Sequence, residues 1–209
     1  MAKYPHGING PFYGKAGSVI GSRWKEIDYI KGLPRQSNRP PTAAQLAQRG
    51  SFKYIQEWLK PFRPFINLGL AHYSGKMTAL NASHSLNSAK VSGTPGNFIV
   101  DQREIVLSYG DLPQVENVET QTGPGIVHLT WDANSGNEGR TDQIMLAIYV
   151  PGLLLADFVF GRACRGDEKV SFGVPALAAG YQAFAYLAFS SLDRKRVSTS
   201  QYLDEFTLQ

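Results

Sequence analysis

Seven short β-prone runs crowd the second half of the chain, and they limit the fold more than any other feature. They are Val115 to Glu119, Ile126 to Trp131, Gln143 to Val150, Leu155 to Arg162, Lys169 to Val174, Tyr181 to Ser190 and Arg196 to Tyr202. Turn-forming residues separate them at short, recurring intervals, the rhythm of an antiparallel sandwich. Val127, Leu129 and Trp131 alternate with polar neighbours, which predicts a core strand ending in a buried tryptophan. With 21 glycines and 12 prolines among 209 residues, the chain has the turn formers such a fold demands.

The stretch ahead of these runs reads differently. Pro40-Pro41-Thr42 leads into Ala43, and Thr42 with Gln45 forms a capping box. A helix is expected from Ala43 to about Lys60, with Leu46, Ile55, Trp58, Leu59 and Phe62 as its apolar positions and Pro61 and Pro64 ending or kinking it. Further helical pieces are expected over Phe65 to Tyr73 and Met77 to Lys90. Gly93-Thr94-Pro95-Gly96 reads as a breaker, followed by strand-like Asn97 to Val100 and Glu104 to Ser108. The expected class is α+β: an N-terminal β-hairpin arm (1–41), a short helical hairpin (42–93) and a C-terminal antiparallel Ig/fibronectin-III-like β-sandwich (94–209). Leu177, Gly180 and Tyr181 loosely resemble the corner before a late strand of fibronectin-type domains.

The box from Gly10 to Pro34 is glycine-rich, basic and aromatic. Ser18 to Trp24 and Ile27 to Lys31 have strand character, with Lys25 and Glu26 at the turn, so a β-hairpin is expected. Glycine in a strand marks a bulge or a close backbone approach, which is the reading for Gly17 and Gly21. A lone two-stranded hairpin is marginal in water, so this one needs a partner surface. Charge divides the chain unevenly. Residues 1–63 hold 11 Lys and Arg against 3 Asp and Glu, and residues 64–209 hold 10 against 14. A basic arm of this kind binds nucleic acid or a membrane surface, or docks on the acidic body of a neighbouring copy. The candidate contact residues are Lys15, Gly17, Gly21, Arg23, Trp24, Lys25, Tyr29, Lys31 and Arg35, with Arg39 beside them.

Other motifs weigh against chemistry. Gly10 to Ala16 has three residues between its glycines and alanine after the lysine, where a phosphate-binding loop needs four and then Ser or Thr. His6, His72, His84 and His128 lack metal-ligand spacing, and Cys164 is the single cysteine, so neither a metal site nor a disulfide is expected. There is no Gly-x-Ser-x-Gly elbow. Asp101 with Glu104, and Asp167 with Glu168, read as solvated turn carboxylates. Arg165-Gly166-Asp167 reads as a strand-connecting turn rather than a receptor motif, and Asn81-Ala82-Ser83 falls in a predicted helix. The opening MAKYPHGING lacks an apolar signal core, which places synthesis in the cytoplasm. The longest apolar run, Ile144 to Val150, is too short to span a bilayer. No enzyme activity and no cofactor are expected.

Gly14-Lys15-x-Gly17-x-x-x-Gly21-Ser22-x-Trp24-Lys25-x-Ile27-x-Tyr29-Ile30-Lys31-x-Leu33-Pro34, followed by Pro41-Thr42-x-Ala44-Gln45-Leu46-Ala47-Gln48-Arg49, resembles an uncharacterised family of Bacteroidota and their mobile elements. The similarity continues through Asn67-Leu68-Gly69, Asn81-Ala82, Leu129-x-Trp131 and Ser198-x-Ser200-x-Tyr202-Leu203. It implies a shared architecture and brings no activity, ligand or catalytic residue with it.

The expected function is structural: a self-associating oligomer, a bacteriophage or prophage particle component among the forms it could take, whose arm docks on neighbouring subunits or other particle proteins. Two alternatives stand beside it. The basic aromatic hairpin could hold nucleic acid, or the sandwich could bind carbohydrate or a receptor through Trp131 and its loops.

Overall fold

Close pairing of short strands shapes the smaller of two compact units, Met1–Thr42 and Ala43–Gln209, into which the chain divides. The structure is a computed structural model that describes residues 2–7, 9–24, 26–34, 39–73, 75, 77–133 and 139–209. In the smaller unit β1 (Gly14–Ala16), β2 (Val19–Trp24) and β3 (Ile27–Gly32) form an antiparallel sheet in the order β1-β2-β3. Trp24 pairs with Ile27, so the two strands of the expected hairpin meet at the expected turn. The third strand is an addition. Ala16 pairs with Val19 across Gly17 and Ser18. Gly17 has φ +59°, which the first residue of a tight primed hairpin turn requires and glycine supplies without strain. Gly17 is therefore a turn residue and not the site of close approach expected for it, since a Cβ there would meet no atom. Gly21 is such a site: a Cβ there would lie 1.9 Å from the Phe12 carbonyl oxygen, where the chain crosses the sheet before entering β1. Lys3 and Tyr13 exchange backbone hydrogen bonds of 2.8 and 2.9 Å, and Tyr4 stacks on Phe12.

In the larger unit α1 (Ala43–Leu59) begins directly after Thr42, as the capping box implies. Its first turns are exposed, Leu46 included, while Ile55 and Leu59 are buried. Pro61 tightens the chain into a single 3-10 turn, Lys60–Phe62, and Pro64 sits in the first turn of α2 (Arg63–Gly69), where its missing N–H costs nothing. Thr78 caps α3 (Ala79–Asn87), its Oγ1 accepting from the Asn81 N–H at 3.2 Å. The expected break at Gly93–Gly96 is instead a hairpin turn between β4 (Val91–Thr94) and β5 (Asn97–Val100). Gly93 and Gly96 have φ +102° and +93°, and Val91 and Val100 pack into the helical core, so no boundary falls there. The Glu104–Ser108 strand is not formed. Gln102–Glu104 is a 3-10 turn, and Ile105 and Leu107 are buried beyond it.

The sandwich follows: β6 (Glu116–Gly123), β7 (Ile126–Asp132), β8 (Gln143–Val150), β9 (Leu155–Cys164), β10 (Lys169–Gly173), β11 (Gln182–Ser190) and β12 (Gln201–Thr207). One sheet has the order β10-β7-β6, the other β12-β11-β8-β9. This partition of first, second and fifth strands against the rest is that of an Ig/fibronectin-III-like sandwich. The last strand lies later than expected, because the chain from Ser191 to Ser200 turns back first, with Ser191 and Arg196 bonded across it. The corner differs too, with Leu177 exposed and Ala178 buried in its place.

Period-two alternation explains the central sheet. Ile144, Leu146, Ile148 and Val150 of β8, with Ala183, Ala185, Leu187 and Phe189 of β11, point into the sandwich core. Their intervening neighbours Met145, Ala147, Tyr149, Phe184, Tyr186 and Ala188 join a second core with Ile55, Leu59, Phe62, Phe65 and Ile66 of the helical layer. A sheet covered on both faces reads as a continuous apolar run, as these two strands do. The helical segment is thus a third layer packed on the sandwich within one unit.

Candidate interaction face of the N-terminal arm

Residues paired directly across an antiparallel ladder share a face. The register puts Lys15, Ile20 and Lys31 in one row, Ser22 and Tyr29 in the next, and Trp24 and Ile27 in the third. These seven side chains form one face of the arm's sheet. Trp24, Ile27 and Tyr29 are 49, 48 and 42% exposed on it. The opposite face carries Arg23 opposite Asp28, with Nε to Oδ1 at 3.8 Å, and the Tyr13 hydroxyl donates to Asp28 at 3.0 Å. Gly21 lies on that second face beneath Phe12.

The sequence-derived contact set therefore separates. Lys15, Trp24, Tyr29 and Lys31 come together. Gly21 and Arg23 hold the other face, and Gly17 makes a turn. Lys25 and Arg35 lie outside the described residues. Ile27 was missed as a contact residue, although its cross-strand place opposite Trp24 follows from the two-residue turn the sequence shows.

Elsewhere several ionisable and aromatic groups have structural partners. Trp131 is buried and its Nε1–H donates to the Arg165 carbonyl at 2.9 Å, which withdraws the ring a carbohydrate reading relied on. Arg165 is itself buried, its Nε 3.3 Å from Asp142 Oδ2 and its guanidinium 4.4 Å above the Phe189 ring. The Arg-Gly-Asp tripeptide thus presents no accessible arginine. Burial pushes the Asp142 carboxyl above the ordinary carboxylate range and the Arg165 guanidinium below its own, each opposed by the charge of the other. Asp101 accepts from the Arg103 N–H at 3.0 Å and Asp167 from the Cys164 N–H at 2.7 Å, both turn-capping bonds. His72 bonds the Arg194 carbonyl at 3.0 Å, His128 bonds Ser171 Oγ at 2.7 Å, and His84 packs on Phe52, where burial lowers its pKa. Among the described residues no group of three or more His, Cys, Asp or Glu could hold a metal ion, and no helix is long and apolar enough to cross a membrane.

A family model described as a family of unknown function, DUF6266, matches residues 11–204. The chain belongs to the DUF6266 family. The match takes in the arm's sheet, the helical layer and nearly all of the sandwich, so the arm lies within what DUF6266 members share. The comparison with curated proteins found no match.

Proposed function

We propose that the protein is a non-enzymatic structural component that self-associates, with the Trp24–Ile27–Tyr29 face of its arm docking on neighbouring copies. A phage or prophage particle is the kind of assembly this suits. The observation that carries the reading is the alignment of three large, half-exposed side chains on one face with Lys15 and Lys31 in the adjoining row. Aromatic anchors of this kind dominate binding at protein interfaces. The turn-capping and buried roles of Asp101, Asp167 and Arg165 support the absence of catalysis from the proposal.

Magnitudes indicate the strength of association. Covering the exposed halves of the three side chains removes roughly 300 Å² from water, worth about 7 kcal/mol at 25 cal/mol per Å². Association costs about 4–15 kcal/mol in lost freedom. One such face gives weak, concentration-dependent contact, and many copies in an assembly multiply it. Light scattering across a concentration series tests this with the full chain and with Trp24→Ser/Tyr29→Ser. Mass should rise with concentration in the first and stay at one chain in the second. A single-chain mass for the unaltered protein at every concentration would refute the proposal.

The same face supports a second reading, because two rings and two lysines on one surface also suit stacked bases and phosphates. Titration with single- and double-stranded probes separates the two. Nucleic-acid binding should weaken steeply with salt and vanish in Lys15→Ala/Lys31→Ala. Absence of binding at low salt would exclude it.

A further inference from the structure

We infer that the surface receiving the arm is the cleft between β6 and β12 of a second copy. The inference rests on the self-association reading and names its acceptor. β6 and β12 are the outermost strands of their respective sheets, and among the described residues no strand bridges them. They wall a cleft of about 590 Å³. Its lining carries Glu116 on one wall and Asp204 and Glu205 on the other, and among the described residues it contains no Lys or Arg. Asp204 is ion-paired with Arg103 at 3.7 Å, with both side chains largely exposed, which binds it weakly. Val118 and Phe206, packed against the sandwich core, contribute the apolar part of a lining that is otherwise mostly polar.

The arm matches this cleft in charge and spacing. Residues 1–42 hold 7 Lys and Arg against 2 Asp and Glu. Lys15 and Lys31 flank Ile20 in one row across three strands, which sets their backbones about 9.6 Å apart, two strand spacings. The carboxylates stand on strands of two stacked sheets, whose separation is about 10 Å. Basic flanks therefore meet an acidic rim, with Tyr29 and then Trp24 and Ile27 in the rows beyond them. Both cleft strands depart from regular register, β6 between Glu116 and Glu119 and β12 where its pairing shifts between Ala183 and Ala185 of β11. Such bulges interrupt the row of free backbone groups that a simple added strand needs. The occupant is accordingly a side-chain face and not an extra strand.

Reciprocal charge reversal in the full chain tests the pairing, read as the half-assembly concentration in sedimentation velocity. Lys15→Glu/Lys31→Glu and Asp204→Lys/Glu205→Lys, each alone, should raise it by at least about tenfold, because like charges then face each other. The four positions are surface sites, and unchanged far-UV spectra confirm that folding is intact. An equimolar mixture of the two variants should assemble like the unaltered protein, since each arm then finds a complementary cleft in the other variant. Failure of the mixture to assemble would overturn the inference. Loss of assembly in the arm variant with none in the cleft variant would overturn the acceptor and leave self-association standing. A monomeric unaltered protein, or assembly indifferent to both reversals, would overturn the arm-based reading as well.

Discussion

Phe62 is the place to test whether the helical layer and the sandwich fold as one unit. It sits in the 3-10 turn between α1 and α2 and is fully buried. Its ring lies 5.1 Å from Trp58, 5.2 Å from Tyr149 and 5.6 Å from Tyr186, centroid to centroid, so it touches both the helices and the central sheet. Phe62→Ala removes the ring from the middle of that aromatic group and leaves a cavity the rigid sheet closes poorly. The cost is about 3–5 kcal/mol, of which the lost aromatic pairs supply about 0.5–1.5 kcal/mol each. For a unit of this size that lowers the melting temperature by roughly 10 °C. Far-UV dichroism follows the helices, and Trp131 emission, in a Trp24→Phe/Trp58→Phe background, follows the sandwich. Both should shift together. Loss of the helical signal at low temperature, with the Trp131 transition where it was, would show that the layers fold separately and would refute the shared-core argument.

Other substitutions probe single interactions. Asn87 donates to the Val106 carbonyl at 2.8 Å and accepts from its N–H at 2.9 Å, so Asn87→Ala should cost about 1–3 kcal/mol in urea unfolding by stranding buried backbone groups; a change below about 0.5 kcal/mol would contradict this. Asp142→Ala leaves the Arg165 charge buried and unpaired, costing about 3–5 kcal/mol, and Asp142→Asn/Arg165→Met should recover most of it. Failure of the double variant to recover would locate the cost elsewhere. In the arm, Gly21→Ala should speed amide exchange across β1 and β2 because of the Phe12 carbonyl, while Gly17→Asn, at an open positive-φ turn position, should not. Burial raises the Tyr186 phenol well above its ordinary range. The folded chain then holds that proton after the unfolded chain releases it, so the phenol's contribution to stability falls as pH rises above about 10. Phenolate absorbance should show Tyr186 ionising only with unfolding.

What the sequence made legible followed from local rules. The alternation of Val127, Leu129 and Trp131 requires a one-sided strand, and those three residues are buried. Trp24 and Ile27 flank a two-residue turn because two strand-forming runs leave only two residues between them. The run from Ile144 to Val150 announced its own burial, but nothing local says that Met145, Ala147 and Tyr149 face helices rather than another sheet. Gly93 to Gly96 misled because the same residues that break a helix also make a hairpin turn. β1 escaped notice because a three-residue strand carries no periodicity, and its pairing with β2 is what brings Lys15 into one row with Lys31. The acidic cleft joins Glu116 to Asp204 and Glu205 across most of the length of the sandwich sequence, a proximity only the topology creates.

Fluorine NMR of the full chain bearing fluorotryptophan addresses the central claim most directly. Trp24 lies on the proposed contact face, whereas Trp131 is buried whatever the assembly state. As concentration rises, the Trp24 resonance should lose its sensitivity to solvent isotope in step with the growth in mass, while the Trp131 resonance stays unchanged. A Trp24 resonance that remains solvent-accessible in the assembled protein would contradict the claim that the arm's exposed face is the surface through which copies of this chain meet.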